Sequence, residues 1–160
     1  MIRYATPDDA PEAHCIIREV AEWLIAKGEP LWGPDETSYE TLEAIIRAGE
    51  LVVGRLSGET VACMFLHRTD SEFWPEDAPG DALYLHRLAV ARTFAGRGLA
   101  HAMLNWAESE TRAAGRNYLR LDCVPRAKLI RIYQTAGFVR VDPGPVKVGA
   151  HWVIRQQKRV

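Results

Sequence analysis

Apolar residues recur every three or four positions in several stretches of the chain, which is the spacing of one buried face of an α-helix. The recurring positions are Ala13, Ile16, Ile17, Val20 and Leu24; Leu42, Ile45 and Ile46; Leu99, Met103, Trp106 and Ala107; and Leu129, Ile130 and Tyr133. The segment Thr6-Pro7-Asp8-Asp9 favours a helix start, and Gly49 and Gly137 favour helix ends. The pattern therefore predicts four helices.

Between these helices lie runs rich in β-branched and other apolar residues. The predicted strands cover residues 2–5, 51–56, 60–67, 83–90 and 118–123, with a final pair around Phe138 and Trp152. The two runs that flank Ser57-Gly58-Glu59 are typical of a β-hairpin. The order β-α-α-β-β-β-α-β-α-β-β predicts a single α/β or α+β domain over residues 1–160, with a mixed sheet.

Charge and hydropathy argue against several classes of function. The formal net charge is −1, so nothing general attracts the chain to nucleic acid or to an anionic membrane. No apolar run approaches the roughly 20 residues of a membrane span, and the N-terminal residues lack a signal-peptide core. We therefore expect a cytoplasmic protein that binds neither nucleic acid nor membrane. Cys15, Cys63 and Cys123 are widely spaced among apolar neighbours, so we expect core thiols.

The junction between the strand that ends near Val90 and the helix that begins at Leu99 contains Gly96 and Gly98. The first amides of a helix have no intrahelical acceptor, and glycine has no Cβ to hold a phosphate away, so such a junction suits an anion. The triphosphate loop Gly-x-x-x-x-Gly-Lys-Ser/Thr is absent. A dinucleotide loop requires a small residue where His101 stands. The diphosphate of an acyl-CoA and a tight turn without a ligand remain as interpretations.

Two motifs favour the acyl-CoA. They are Ala95-Gly96-Arg97-Gly98-Leu99-Ala100 and, after a predicted strand and helix, Tyr133-Gln134-Thr135-Ala136-Gly137-Phe138. Together they resemble the GNAT superfamily of acetyl-CoA-dependent N-acetyltransferases, whose loop pattern is Arg/Gln-x-x-Gly-x-Gly/Ala. Ala95 departs from this pattern because it lacks the usual polar side chain. The resemblance covers nearly the whole chain and implies a mostly antiparallel sheet with splayed central strands flanked by helices.

The resemblance also implies acetyl-CoA as the cofactor, held mainly by main-chain amides. Diphosphate binding is then expected at Ala95, Gly96, Arg97, Gly98, Leu99 and Ala100, and pantetheine binding at Leu88, Ala89 and Val90, where the family has a bulged strand. The Leu88 amide is expected to donate to the thioester oxygen. The acetyl group then passes directly to an amine without a covalent acyl-enzyme. Because no His, Cys or carboxylate pair has convincing metal-ligand spacing, no metal ion is expected.

Tyr133 is the candidate general acid and His86 the candidate base. A phenol, with an ordinary pKa of about 10, keeps its proton near neutral pH, and an imidazole, with a pKa of about 6.5, can accept one. Packed structural roles for both side chains stay open. Trp23, Trp32 and Tyr84 are expected to line the acceptor pocket. The segment 70–81 carries five carboxylates and no Lys or Arg, so it suits a cationic amine or is a solvated loop.

The expected acceptor is an amine of a small molecule or peptide, and a homodimer is one option for the assembly. An alternative function is a non-catalytic acyl-CoA-binding or sensing module of the same fold. Ala95 and the lack of an obvious carboxylate base favour that alternative.

Overall fold

The computed structural model describes residues 1–160 and contains four α-helices and eight β-strands. The helices are α1 (Ala10–Ala26), α2 (Tyr39–Arg47), α3 (Leu99–Ala113) and α4 (Ala127–Thr135). The strands are β1 (Ile2–Tyr4), β2 (Leu51–Leu56), β3 (Glu59–His67), β4 (Ala82–Val90), β5 (Tyr118–Cys123), β6 (Val139–Arg140), β7 (Val146–Val148) and β8 (His151–Arg159). The strands form a mostly antiparallel sheet, which confirms the predicted mixed α/β class.

The chain divides into two compact units. The first contains residues 1–66 and 87–103, and the second contains residues 67–86 and 104–160. Strand β4 and helix α3 each contribute residues to both units. The assignment of residues 1–160 to a single domain stays a prediction.

In the first unit, β2 pairs antiparallel with both β1 and β3. Ser57 and Gly58 connect β2 to β3 with φ angles of 51° and 89°. Two successive left-handed residues give the tight turn whose twist matches paired strands, so the predicted hairpin is confirmed. The core of this unit lies between the strands and the apolar faces of α1 and α2. It contains Ala13, Ile16, Ile17, Val20 and Leu24 of α1, Leu42 and Ile46 of α2, and Leu51, Val53, Cys63 and Phe65 of the strands.

In the second unit, β5 lies between β4 and β8. It runs parallel to β4, from Ala82 opposite Tyr118 to Leu85 opposite Leu121, and antiparallel to β8 along its whole length. Strands β6 and β7 both pair with β8. Helix α4 packs Ile130 against Cys123 and Ile154, which fixes the helix beside the carboxyl end of β5.

Three features differ from the sequence-based expectations. Strand β7 was not predicted, because its three residues follow a segment rich in Pro and Gly and are too short to show a period. The first helix begins with a 3-10 turn over Pro7–Asp9 before α1 starts at Ala10. The prediction of a buried Cys15 is wrong, since its position on α1 faces solvent, whereas Cys63 and Cys123 are buried. None of the helices combines the length and the apolar character needed to cross a membrane.

Candidate active site

The glycine loop precedes α3 in the first unit. Gly96 and Gly98 both have φ angles of 77°, a conformation that costs an L-residue free energy but not glycine. A Cβ added to either glycine would meet no heavy atom within 4 Å, so the backbone there is open to a ligand. Helix α3 begins immediately after Gly98, whose carbonyl accepts the amide of Ala102 at 3.0 Å. The free amides and the dipole of the first helical turn therefore lie next to an open glycine backbone.

The segment that leads into this loop is fastened to α1. The amide of Arg92 donates to Glu19 Oε2 at 3.0 Å, and the Arg92 guanidinium lies 3.7 Å from the centroid of the Trp23 ring. Trp23 and Trp32 both pack, partly buried, against the core of the first unit. In this structure Trp23 supports the loop through Arg92, and an acceptor-lining role for the two tryptophans stays a prediction.

Strand β4 contains a left-handed residue, Arg87, with a φ angle of 49°. Such a residue inside a strand interrupts the pleat, and it directly precedes Leu88, the position whose amide is expected to face the thioester. The Arg87 side chain is anchored by a hydrogen bond to Glu36 at 2.9 Å and by a cation–π contact with Phe65 at 5.0 Å. These contacts offset the roughly 1–3 kcal/mol that a left-handed non-glycine residue costs.

A partly buried polar cluster lies in the second unit. It consists of Asp70, His86 on β4 and Asp122 on β5. The Nε2 atom of His86 hydrogen-bonds Asp70 Oδ2 at 2.9 Å, and Nδ1 lies 3.8 Å from Asp122 Oδ1. The side chains of Asp70, His86 and Asp122 are 7%, 19% and 10% exposed, respectively. The imidazole thus lies between two carboxylates and is only partly exposed to solvent.

The two carboxyl groups of this cluster titrate differently. Burial raises the pKa of Asp70, but hydrogen bonds from His86 and from the Phe73 amide outweigh it, so the net pKa is lowered. Burial raises the pKa of Asp122 to about 6, opposed by the charge of His86 and reinforced by those of Asp70 and Glu72. Asp122 Oδ1 is buried without a hydrogen-bond partner. Asp122 is therefore the stronger base of the two carboxylates.

Tyr133 lies in the last turn of α4, and the motif after it ends the helix. Gly137 adopts a φ angle of 94°, and the Phe138 amide returns to the Tyr133 carbonyl at 3.1 Å, so Gly137 closes the helix as predicted. The rings of Tyr133 and the buried Phe138 meet edge to face, with centroids 6.0 Å apart. Burial raises the pKa of the Tyr133 phenol, and the charges of Cys123 and Asp122 raise it further. Tyr133 therefore lies within electrostatic reach of Asp122 and keeps its proton at neutral pH.

Comparisons with known proteins decide the family. Residues 17–138 match the model of the acetyltransferase (GNAT) family. The chain belongs to the GNAT family. It is 32% identical over 148 residues to YesJ, an uncharacterized N-acetyltransferase of Bacillus subtilis, covering 84% of this chain and 81% of YesJ. These matches confirm the resemblance seen in the two motifs and identify the chain as an acetyl-CoA-dependent N-acetyltransferase.

Solved structures of GNAT proteins share the fold. A GNAT acetyltransferase from Listeria monocytogenes superposes with a TM-score of 0.81 and 25% identity, covering 100% of this chain and 94% of that one. The acetyltransferase yncA from Salmonella typhimurium, solved with its cofactor acetyl-CoA, superposes with a TM-score of 0.70 and 19% identity, covering 99% and 92% of the two chains.

The acidic segment of this GNAT protein is neutralised from within the second unit. Arg120 on β5 donates to Asp77 at 2.6 Å and to Asp81 at 3.1 Å. Arg155 on β8 donates to Glu76 at 2.6 Å and also binds Asp142 through two hydrogen bonds. Most carboxylates of residues 70–81 are thus satisfied by the protein and do not form an open face for a cationic acceptor.

Tyr84 is part of the same network. It is 3% exposed, its hydroxyl donates to Asp77 at 2.5 Å, and its ring packs with Trp74 and Ala82. These contacts describe a core residue, and contact of Tyr84 with the acceptor stays a prediction that they do not favour.

The sequence analysis did not find the two carboxylates that flank His86. Asp70 and Asp122 lie 52 positions apart, and only the pairing of β4 with β5 places His86 and Asp122 on neighbouring strands. The one available signal in the sequence was an aspartate, Asp122, near the end of an apolar strand. This signal does not show which residue lies beside it in the folded protein.

Proposed function

We propose that this GNAT protein transfers the acetyl group of acetyl-CoA to a primary amine of a small molecule or peptide by direct attack. The observation that carries the proposal is the open glycine loop at the start of α3. Two left-handed glycines with free space above them, followed at once by the first turn of a helix, suit a diphosphate. The relative yncA was solved with acetyl-CoA, which supports that cofactor.

The cofactor is held chiefly by main-chain groups. The amides of residues 95–100 bind the diphosphate, and the backbone of residues 88–90 binds the pantetheine arm. The left-handed Arg87 supports this role because it redirects the backbone just before Leu88. The Leu88 amide donates to the thioester oxygen and stabilises the negative charge that develops there. Because these contacts use the backbone, alanine in place of the family's Arg or Gln at position 95 loses only a side-chain contact and keeps the main-chain contacts to the diphosphate.

Proton transfer is assigned to two side chains of the second unit. His86 accepts a proton of the amine, and Tyr133 donates a proton to the departing thiolate. Tyr133 is available for the second role because burial raises its pKa, so the phenol carries its proton at neutral pH when the thiolate departs.

Direct attack is favoured because the buried thiols are poor nucleophiles. Burial raises the pKa of Cys123 to about 11 and that of Cys63 to about 12. A thiol with such a pKa carries almost no thiolate at neutral pH, so an acyl-cysteine intermediate at either position is disfavoured.

Calorimetry and product detection test the proposal with a matched pair of variants. Gly98→Val places a side chain where the diphosphate would lie, whereas Gly58→Val introduces the same strain in the β2–β3 turn, also in open space. We expect Gly98→Val to weaken acetyl-CoA binding at least tenfold and Gly58→Val to leave it unchanged. Absence of binding heat in the wild type would overturn the cofactor assignment. Tight binding without acetylation of any amine in a broad panel would instead support the non-catalytic binding module.

A further inference from the structure

The hydrogen bond between His86 and Asp70 fixes which ring nitrogen of His86 can act as a base. Asp70 has a lowered pKa and is ionised near neutral pH, so its carboxylate can only accept a hydrogen bond. The proton of the 2.9 Å contact therefore resides on His86 Nε2. In the neutral ring, Nδ1 then carries a lone pair.

Nδ1 faces the carboxylate of Asp122, one oxygen of which has no hydrogen-bond partner. Asp122 Oδ1 lies 3.8 Å away, on a side chain that is nine-tenths buried, and it has no hydrogen-bond partner in the protein. The distance is too long for a direct hydrogen bond. Asp122 Oδ1 is thus an unsatisfied acceptor beside the Nδ1 lone pair, and a ligand that brings N–H groups would satisfy both atoms.

We propose that Asp122 Oδ1 and His86 Nδ1 together bind the ammonium group of the acceptor, and that Asp122 is a catalytic residue. The inference rests on the proposed function and names the groups that recognise the amine. One nitrogen can lie about 2.9 Å from each of two atoms that are 3.8 Å apart. A primary ammonium has three N–H donors, so it can donate one hydrogen bond to each acceptor and still has a third N–H group. A quaternary ammonium satisfies neither acceptor.

The proton and bond changes balance in this arrangement. The ammonium gives its first proton to Asp122 Oδ1, and the resulting amine attacks the thioester carbon. As the C–N bond forms and the C–S bond breaks, the nitrogen passes its second proton to His86 Nδ1 and the sulfur takes the proton of Tyr133. Asp122 then reprotonates Tyr133, and His86 releases its proton to solvent. One ammonium and one thioester thus yield an amide, a thiol and a proton.

The surroundings of Asp122 support this role. The titratable groups that face it are Asp70, Glu72, His86, Cys123 and Tyr133, and His67 stacks 5.2 Å from the His86 ring. Burial among them raises the pKa of Asp122 to about 6, which makes it a better base than an exposed aspartate and leaves it ionised above neutral pH. A metal ion is the competing occupant, because Asp70, His86 and Asp122 each offer a ligand atom within 4.8 Å of the other two. The kinetic test therefore includes a chelator.

The kinetic test uses ethylamine and hydroxylamine as acceptors with acetyl-CoA. Ethylamine is an ammonium at pH 7 and must lose a proton before attack, whereas hydroxylamine is largely neutral. We expect Asp122→Asn to lower kcat/KM for ethylamine by at least about 100-fold, the lower range of general base catalysis, and to change that for hydroxylamine less than threefold. The control Asp142→Asn changes an aspartate that is paired with Arg155 and is not a member of the cluster, so it should leave both rates near the wild type. Equal losses with both acceptors, no loss with either, or inactivation by a chelator would overturn the proposal.

A binding measurement separates failure of this site from failure of the proposed function. In protein labelled with ¹⁵N histidine, ethylammonium chloride should shift the Nδ1 resonance of His86 in the wild type and leave it unmoved in Asp122→Asn. Tetramethylammonium chloride at the same concentration should have no effect in either protein. If His86 carries its proton on Nδ1, or if ethylammonium does not shift the resonance, the ammonium site is refuted whether or not the enzyme turns over. A shift without acetylation of any amine would keep the site and refute the proposed transferase reaction.

Discussion

Replacing Asp122 by Asn should stabilise the folded protein near neutral pH. The ordinary carboxyl pKa of 3.8 rises to about 6 in the folded state, chiefly because burial penalises the charge. At roughly 1.4 kcal/mol per pKa unit, this difference corresponds to about 3 kcal/mol of folding free energy that the wild type gives up when Asp122 ionises. Asn has nearly the same shape and no charge, so it avoids this cost.

The pH dependence of the free energy of unfolding follows from the direction of the pKa shift. The folded state holds the proton of Asp122 more tightly than the unfolded state, so the wild type loses stability as pH rises from about 4 to about 6. Below about pH 4 both states are protonated, and Asp122→Asn should match the wild type. Above about pH 6 the variant should be more stable by up to about 3 kcal/mol, or roughly 6–12 °C in Tm for a chain of this length.

Urea unfolding at pH 4.5 and pH 7.5 measures the effect, with Asp142→Asn as a control of opposite sign. Hydrogen bonds from Arg155 lower the pKa of Asp142, so Asp142→Asn should destabilise the protein at pH 7.5. The destabilisation should become smaller as the pH falls through the pKa of Asp142 in the folded state. The explanation is wrong if Asp122→Asn is less stable than the wild type at pH 7.5. It is also wrong if the difference in free energy of unfolding between the two proteins does not change with pH.

Two further predictions concern Tyr133 and Arg120. Tyr133→Phe should lower kcat with ethylamine at least tenfold and leave the acetyl-CoA affinity within about twofold, as measured by calorimetry, and a wild-type rate at every pH would remove Tyr133 from the mechanism. Arg120→Met should lower the free energy of unfolding by about 3–5 kcal/mol, because it leaves Asp77 and Asp81 without their buried cation. A loss below about 1 kcal/mol in urea unfolding would show that these pairs contribute little.

The local features of this chain could be predicted because their determinants are adjacent in the sequence. The Ser57-Gly58 turn, the Gly137 helix end and the glycine loop before α3 each depend on residues that can adopt positive φ angles within a few positions of one another. The start of α3 at Leu99 agrees with the apolar spacing. Arg87 carries no such signal, because its left-handed conformation is held by Phe65 and Glu36, which lie far away in the chain.

The non-local features could not be predicted from the sequence. Residues 70–81 contain five acidic side chains and no basic one, and nothing in that segment reveals that Arg120 and Arg155 neutralise it. His86 was found from its position in β4, but its carboxylate partners depend on strand pairing and on the fold of the acidic segment. Side-chain chemistry can thus be listed from the sequence, whereas the pairing of charges requires the tertiary structure.

The exposed Cys15 offers a built-in reporter. It is the one thiol that solvent reaches in the folded protein, while Cys63 and Cys123 lie inside their respective units. A maleimide dye should therefore attach once to the native enzyme and three times in urea, and mass spectrometry can count the attached dyes. A fluorophore can therefore be attached to α1 without mutagenesis. The labelling rates of Cys63 and Cys123 measure how often the core of each unit opens to solvent.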